Sequence, residues 1–187
     1  MSARRALKIL MACMACAALA AATSVIPISL QQLTQRASTV VEARAQNSWS
    51  QWNPQHTLIF TYTRFAVMKA LKGETPQTIV VRQMGGKVGT LRQTVAGVRS
   101  WRPGEESMLF LRPSAEGNGV MAIVGLMQGD FRITRTATGV TASNGVPQSR
   151  QYDVKQYQRG SATPEIYTGE AMPLRQLESQ VAGMVAK

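Results

Sequence analysis

Between Thr57 and Leu71 the chain carries its strongest β signal: Leu58, Phe60 and Tyr62, then Phe65 and Val67, set among Thr and Ile. Alternate residues of an extended strand point to opposite faces, so this spacing suits a strand and not a helix. The phase slips once near Thr63-Arg64, which predicts a β-bulge in a long, curved strand.

The remaining segments are read around that strand. Thr39 to Ala45 alternates and is β-branched, predicting a partner strand, and polar Asn47 to His56, with Trp49 and Trp52, reads as a long hairpin loop between the two. Thr78 to Gln83 is a third strand, ending at Gly85-Gly86. Ser107 to Arg112 follows the Pro103-Gly104 turn; there Met108 and Phe110 alternate with Leu109 and Leu111, so both faces are expected to be buried. Val120 to Gly125 and Asp130 to Thr134 add two more strands, joined around Gln128-Gly129. Helical spacing occurs near the two ends: Ser29 to Arg36 with Ser29 as N-cap, and Met172 to Ala186 with a stripe of Leu174, Leu177, Val181 and Met184.

These elements predict a mainly β fold with flanking helices: a small curled antiparallel sheet or a five- to six-stranded OB-like barrel, with the C-terminal helix packed on it. Closing the sheet removes edges that would otherwise template aggregation. Residues 23–134 are expected to form the barrel-like domain, 135–170 an irregular or partly disordered excursion rich in Thr, Ser, Gly, Gln and Pro, and 171–187 the C-terminal helix.

Ahead of the first helix, Arg4, Arg5 and Lys8 precede an uncharged apolar run from Ile9 to Ala22 that closes on three alanines. This pattern predicts a secretory signal over residues 1–22, cleaved after Ala22, and hence a periplasmic or secreted protein. An uncleaved anchor is the alternative, although the run is shorter than a membrane span. Lipidation at Cys13 is not expected, because Met11 fits the required pattern poorly and the preceding apolar stretch is too short. Cys13 and Cys16 are the only cysteines of the 187 residues. Cleavage therefore removes disulfides, thiol catalysis and thiolate metal sites together. It also lowers the formal charge from +11 to +8 by removing three cations, leaving attraction to polyanions.

Other chemistries find few groups. His56 is the only histidine, without a Gly-x-Ser-x-Gly elbow or a nearby acid, and reads as a solvent-facing loop residue. One histidine and ten dispersed acidic residues predict no metal site and no cofactor. Glu105-Glu106 would diverge if extended, and more simply solvates a turn. Gly85-Gly86-Lys87-Val88-Gly89 lacks both the earlier glycine and the Ser or Thr of a phosphate loop, and is read as a hairpin tip.

Four blocks taken together resemble a family of uncharacterised exported bacterial proteins. They are Ala37-Ser38-Thr39-Val40-Val41-Glu42-Ala43-Arg44-Ala45, Val67-Met68-Lys69-Ala70-Leu71-Lys72-Gly73, Arg102-Pro103-Gly104-Glu105-Glu106-Ser107-Met108-Leu109-Phe110-Leu111 and Val124-Gly125-Leu126-Met127-Gln128-Gly129-Asp130-Phe131. Ser38 and Ala43 depart from the Asp and Gly of that pattern. The layout is also distantly similar to netrin-like and tissue-metalloproteinase-inhibitor domains, which implies a five-stranded oligonucleotide/oligosaccharide-binding-type barrel. Those inhibitors act through an N-terminal cysteine, which a chain starting near Thr23 lacks, so their mechanism does not carry over.

What remains is binding. Trp49, Trp52, Arg99, Trp101 and Arg102 are the candidate binding residues, since aromatic faces beside guanidiniums stack on rings and attract anions. Trp101, just before the Pro-Gly turn, has a core role as its alternative. The function expected is a non-enzymatic exported module engaging another envelope or secreted protein; the alternative is a charge-driven binder of acidic envelope polysaccharide or lipid headgroups. Nucleic acid is an unlikely partner, because export separates the protein from most of it.

Overall fold

The computed structural model describes residues 28–146 and 170–186, and the expected signal at 1–22 lies outside them. Helix α1 (Leu30–Arg36) starts at Ser29, whose Oγ accepts from Gln32 N while Gln32 answers with its side chain on the Ser29 N–H, a reciprocal capping box.

The strands are β1 (Thr39–Trp52), β2 (Ile59–Lys72), β3 (Thr78–Met84), β4 (Gly86–Val88), β5 (Leu91–Gln93), β6 (Glu106–Pro113), β7 (Val120–Ile123), β8 (Asp130–Thr136), β9 (Gly139–Ser143) and β10 (Met172–Pro173). Helix α2 (Leu174–Val185) follows β10 directly. The protein is mainly β, as expected. Strands β1-β2-β3-β7-β6 follow one another round a ring, which the β6–β1 pairing closes; only the short β3–β7 contact is parallel. Past Leu109 the free edge of β6 passes from β8 to β7, so β8, β9 and β10 extend the sheet beside the ring.

Two cores follow from this arrangement. Leu109 and Leu111 of β6 join Val41, Ala43, Phe65, Val81 and Trp101 inside the ring. Met108 and Phe110, on the opposite face, meet α1, α2 and β8 through Leu33, Leu177, Val181 and Phe131. Both faces of β6 are buried, as its unbroken apolar run predicts. Gly73, at φ +74°, ends β2; a Cβ there would stand 2.6 Å from the Ser38 carbonyl oxygen, so the turn needs glycine.

The structure corrects several expectations. Polar Asn47 to Trp52 is strand and not loop: Trp49 opposes Tyr62, Trp52 opposes Ile59, and Ser48–Thr63 and Ser50–Thr61 hydroxyl pairs tie the strands at 2.7 and 2.9 Å. The connecting loop is only residues 53–58. The phase slip near Thr63-Arg64 is not a bulge in β2. Its aromatic residues change faces there, Phe60 and Tyr62 outward and Phe65 inward, while the bulge nearby belongs to β1, where Gln46 is the extra residue opposite Arg64 and Phe65. Two further bulges fall in β2, at Met68 and Leu71. The expected irregular segment begins too early, since β8 runs to Thr136 and β9 pairs with it as a hairpin; residues 147–169 lie outside the described part. The strand from Val120 stops at Ile123, because Gly125 turns left-handed at φ +70° into a single 3-10 turn, Leu126–Gly129.

Candidate functional site

Period two fixes what the outside of the ring presents. From β1, β2 and β3 in turn, Trp49 and Gln51, then Phe60, Tyr62 and Arg64, then Val80, Arg82 and Met84 stand on the outer face, in register across the strands. The Trp49 ring stacks on Tyr62 at 5.6 Å between centroids and 12° between planes. Arg64 lies over the Trp49 ring at 5.9 Å, and Arg82 over Phe60 at 3.7 Å. Each guanidinium faces the negative side of a ring.

Two loops border this face. In the β1–β2 loop Asn53 Oδ1 accepts from the backbone N–H groups of Thr57 and Leu58 at 2.8 and 2.9 Å, while its Nδ2 donates to Thr57 Oγ1 and Gln55 Oε1. One side chain thus shapes the whole turn and leaves His56, at φ +53°, stacked on Trp52 with centroids 6.1 Å apart. From the β6–β7 loop Glu116 reaches back over the sheet. Its Oε2 accepts from Tyr62 Oη at 2.8 Å and Arg82 Nη1 at 3.0 Å. Burial, and then the Glu116 hydrogen bond, hold the Tyr62 phenol above its ordinary pKa, so it stays a proton donor.

Between the loops runs an open groove of about 650 Å³. Phe60, Tyr62 and Arg82 form its floor, Trp52 and His56 one wall, and Ala115 and Glu116 the other. In an OB-type barrel this is the face of the second and third strands, between the loops that join the first to the second and the fourth to the fifth. Its groups can stack, donate and accept. The Glu116 charge is matched by Arg82, so the groove is not a simple cationic trough.

The five residues singled out from sequence divide. Trp52 lines the groove, and Trp49 stands on the adjoining outer face. Trp101 is 5 % exposed, edge-on to Phe65 at 5.0 Å, with Nε1 donating to Ser107 Oγ at 3.3 Å; it fills the ring interior, so the core alternative holds and it offers no binding surface. Arg99 is drawn inward onto Asp130, with Nη2 3.0 Å from Oδ2 and a second bond to the Asp130 carbonyl oxygen. Nη2 is committed to that pair, while Nε is buried without a partner. Arg102 is exposed on the turn beyond Trp101, apart from the groove.

Tyr62, Arg64, Phe60, Arg82, Glu116 and His56 were missed by sequence reasoning. The alternation Phe60, Tyr62, Arg64 was a usable signal, as was Val80, Arg82, Met84. Glu116 carried none, because a loop residue's reach is set by where the fold places it. Among the described residues, no three of His, Cys, Asp and Glu gather in one place.

No protein-family model matches the chain, and no curated protein matches it significantly.

Proposed function

We propose that the chain is a non-enzymatic exported binding module whose working surface is the outer face of β1–β3 with its two bordering loops, and that it engages another envelope or secreted protein there. The observation that carries this reading is the paired aromatic–guanidinium arrangement: Arg64 over Trp49 over Tyr62, beside Arg82 over Phe60. Trp, Tyr and Arg dominate binding energetics at protein interfaces, because each supplies a large, rigid contact with a polar end. Here the rings are already fixed by neighbours, so little side-chain freedom is lost on association.

A second reading, binding of acidic envelope polysaccharide or lipid headgroups, is favoured by the formal charge of +8 that remains once residues 1–22 are removed, together with aromatic faces on strands that serve saccharides in barrels of this type. The test is a pull-down from envelope and culture fractions at low and high salt, with the chain and its Trp49→Ala and Arg64→Ala variants as baits. One protein retained through high salt and lost in both variants supports the protein partner. Acidic polymer released as salt rises supports the second reading. Retention by both variants equal to the parent removes this face from either.

A further inference from the structure

Helix α2 is held on the sheet by Leu174, Leu177 and Val181, and beside that stripe by Glu178. Glu42 of β1 is 6 % exposed, opposite Lys69 of β2 and Met108 of β6. Glu178 of α2 receives the ammonium of Lys69, the residue that stands opposite Glu42, so the two carboxyl groups gather on one cation. Like charges gathered in that way favour a state in which one of the two carboxyl groups carries a proton. Glu42 Oε1 is buried with no hydrogen-bond partner, so ionisation would leave charge on an uncompensated oxygen.

We propose that Glu42 and Glu178 share one proton across the β1–α2 interface, and that loss of this proton loosens the helix from the sheet.

The charges facing the pair do not replace the proton. Lys69 from β2 is engaged by Glu178. Arg135 from β8 is held by Glu106 of β6, with Nη2 2.8 Å from Oε2. Arg175, on the helix itself, acts on Glu178. Burial first, then the neighbouring Glu178, raise the Glu42 carboxyl to about 7, against the opposing pull of Lys69 and Arg135. Glu178 stays below its ordinary range, because protonated Glu42 and Lys69 favour its charged form. The proton therefore resides on Glu42.

The sign follows by linkage. With the helix released, Glu42 returns to its ordinary value of 4.5, so the docked form binds the proton more tightly. Docking is at full strength near pH 4.5 and weakens as pH rises to about 7. The lowered Glu178 works only in the opposite window, below its ordinary 4.5.

Backbone amide exchange of residues 174–185 in the full chain tests this, measured at about pH 5.5 and about pH 7.5 and corrected for intrinsic rates. Protection of the helix should fall about tenfold or more between them, a tenfold change for each pKa unit titrated. In Glu42→Gln, a neutral isostere, helix protection should be the same at both pH values. An unchanged wild-type helix, or an equal drop in Glu42→Gln, overturns the proposal. Carboxyl carbon NMR of the unsubstituted chain decides independently of any variant. A Glu42 midpoint near neutrality is expected, and one in the ordinary carboxylate range overturns it.

Discussion

Trp49 of β1 and Tyr62 of β2 oppose each other in register and stack nearly parallel, 5.6 Å apart, on the outside of a ring whose inside is filled by Phe65 and Trp101. The same two strands therefore build a core on one face and an aromatic platform on the other. The platform is half supported by protein and half open: Trp49 is 36 % exposed, whereas Tyr62 is buried beneath it.

Replacing Trp49 with alanine should accordingly cost little stability, about 1 kcal/mol, from one stacked pair and one exposed cation–π contact. Urea denaturation measures it. The partner retained by the parent chain should be lost while the fold persists, which separates a surface role from a structural one.

Trp101→Ala should behave in the opposite way. Its ring is enclosed by the ring-interior core and edge-on to Phe65, so truncation leaves a cavity costing about 3–5 kcal/mol. Chemical denaturation should show the loss, and a cost below about 1 kcal/mol would place Trp101 at the surface.

Arg99→Ala should strand Asp130, which is 1 % exposed and whose Oδ1 already has no partner. Burial raises the Asp130 carboxyl, and Arg99 pulls against that shift. Breaking such a pair costs about 3–5 kcal/mol near neutral pH. The raised acid favours the folded state most when protonated, so the variant's deficit should shrink as pH falls toward 4. Denaturation of parent and variant across that range checks the sign.

Glu106 has the reverse pH signature. Burial raises its carboxyl, but hydrogen bonds from Arg44 and Arg135 outweigh burial and leave it below the ordinary 4.5. Its contribution is present above 4.5 and is lost as pH falls through the lower folded value. Both guanidiniums are more than half exposed, so the pair is screened and Glu106→Gln should cost about 1 kcal/mol at neutral pH. That cost should vanish in acid, as melting temperatures at neutral and low pH would register.

The sequence alone determined the elements whose signal is local. Ser29 caps α1 because its hydroxyl and Gln32 lie one turn apart wherever the helix sits. The spacing of Leu174, Leu177 and Val181 places one apolar stripe on α2, and the doubled alternation from Met108 to Leu111 requires a strand buried on both sides. Only the tertiary structure decided what depends on cross-strand pairing. Asn47 to Trp52 reads as loop on polarity, yet it is strand, because Tyr62, Thr63 and Thr61 stand opposite Trp49, Ser48 and Ser50 and satisfy them. Arg99 beside Trp101 reads as a binding pair, yet the ring turns both inward, one to Asp130 and the other to Phe65. Glu116 is the clearest case. Its partners Tyr62 and Arg82 lie on two other strands, and no spacing along the chain encodes a contact that exists only once the ring has closed.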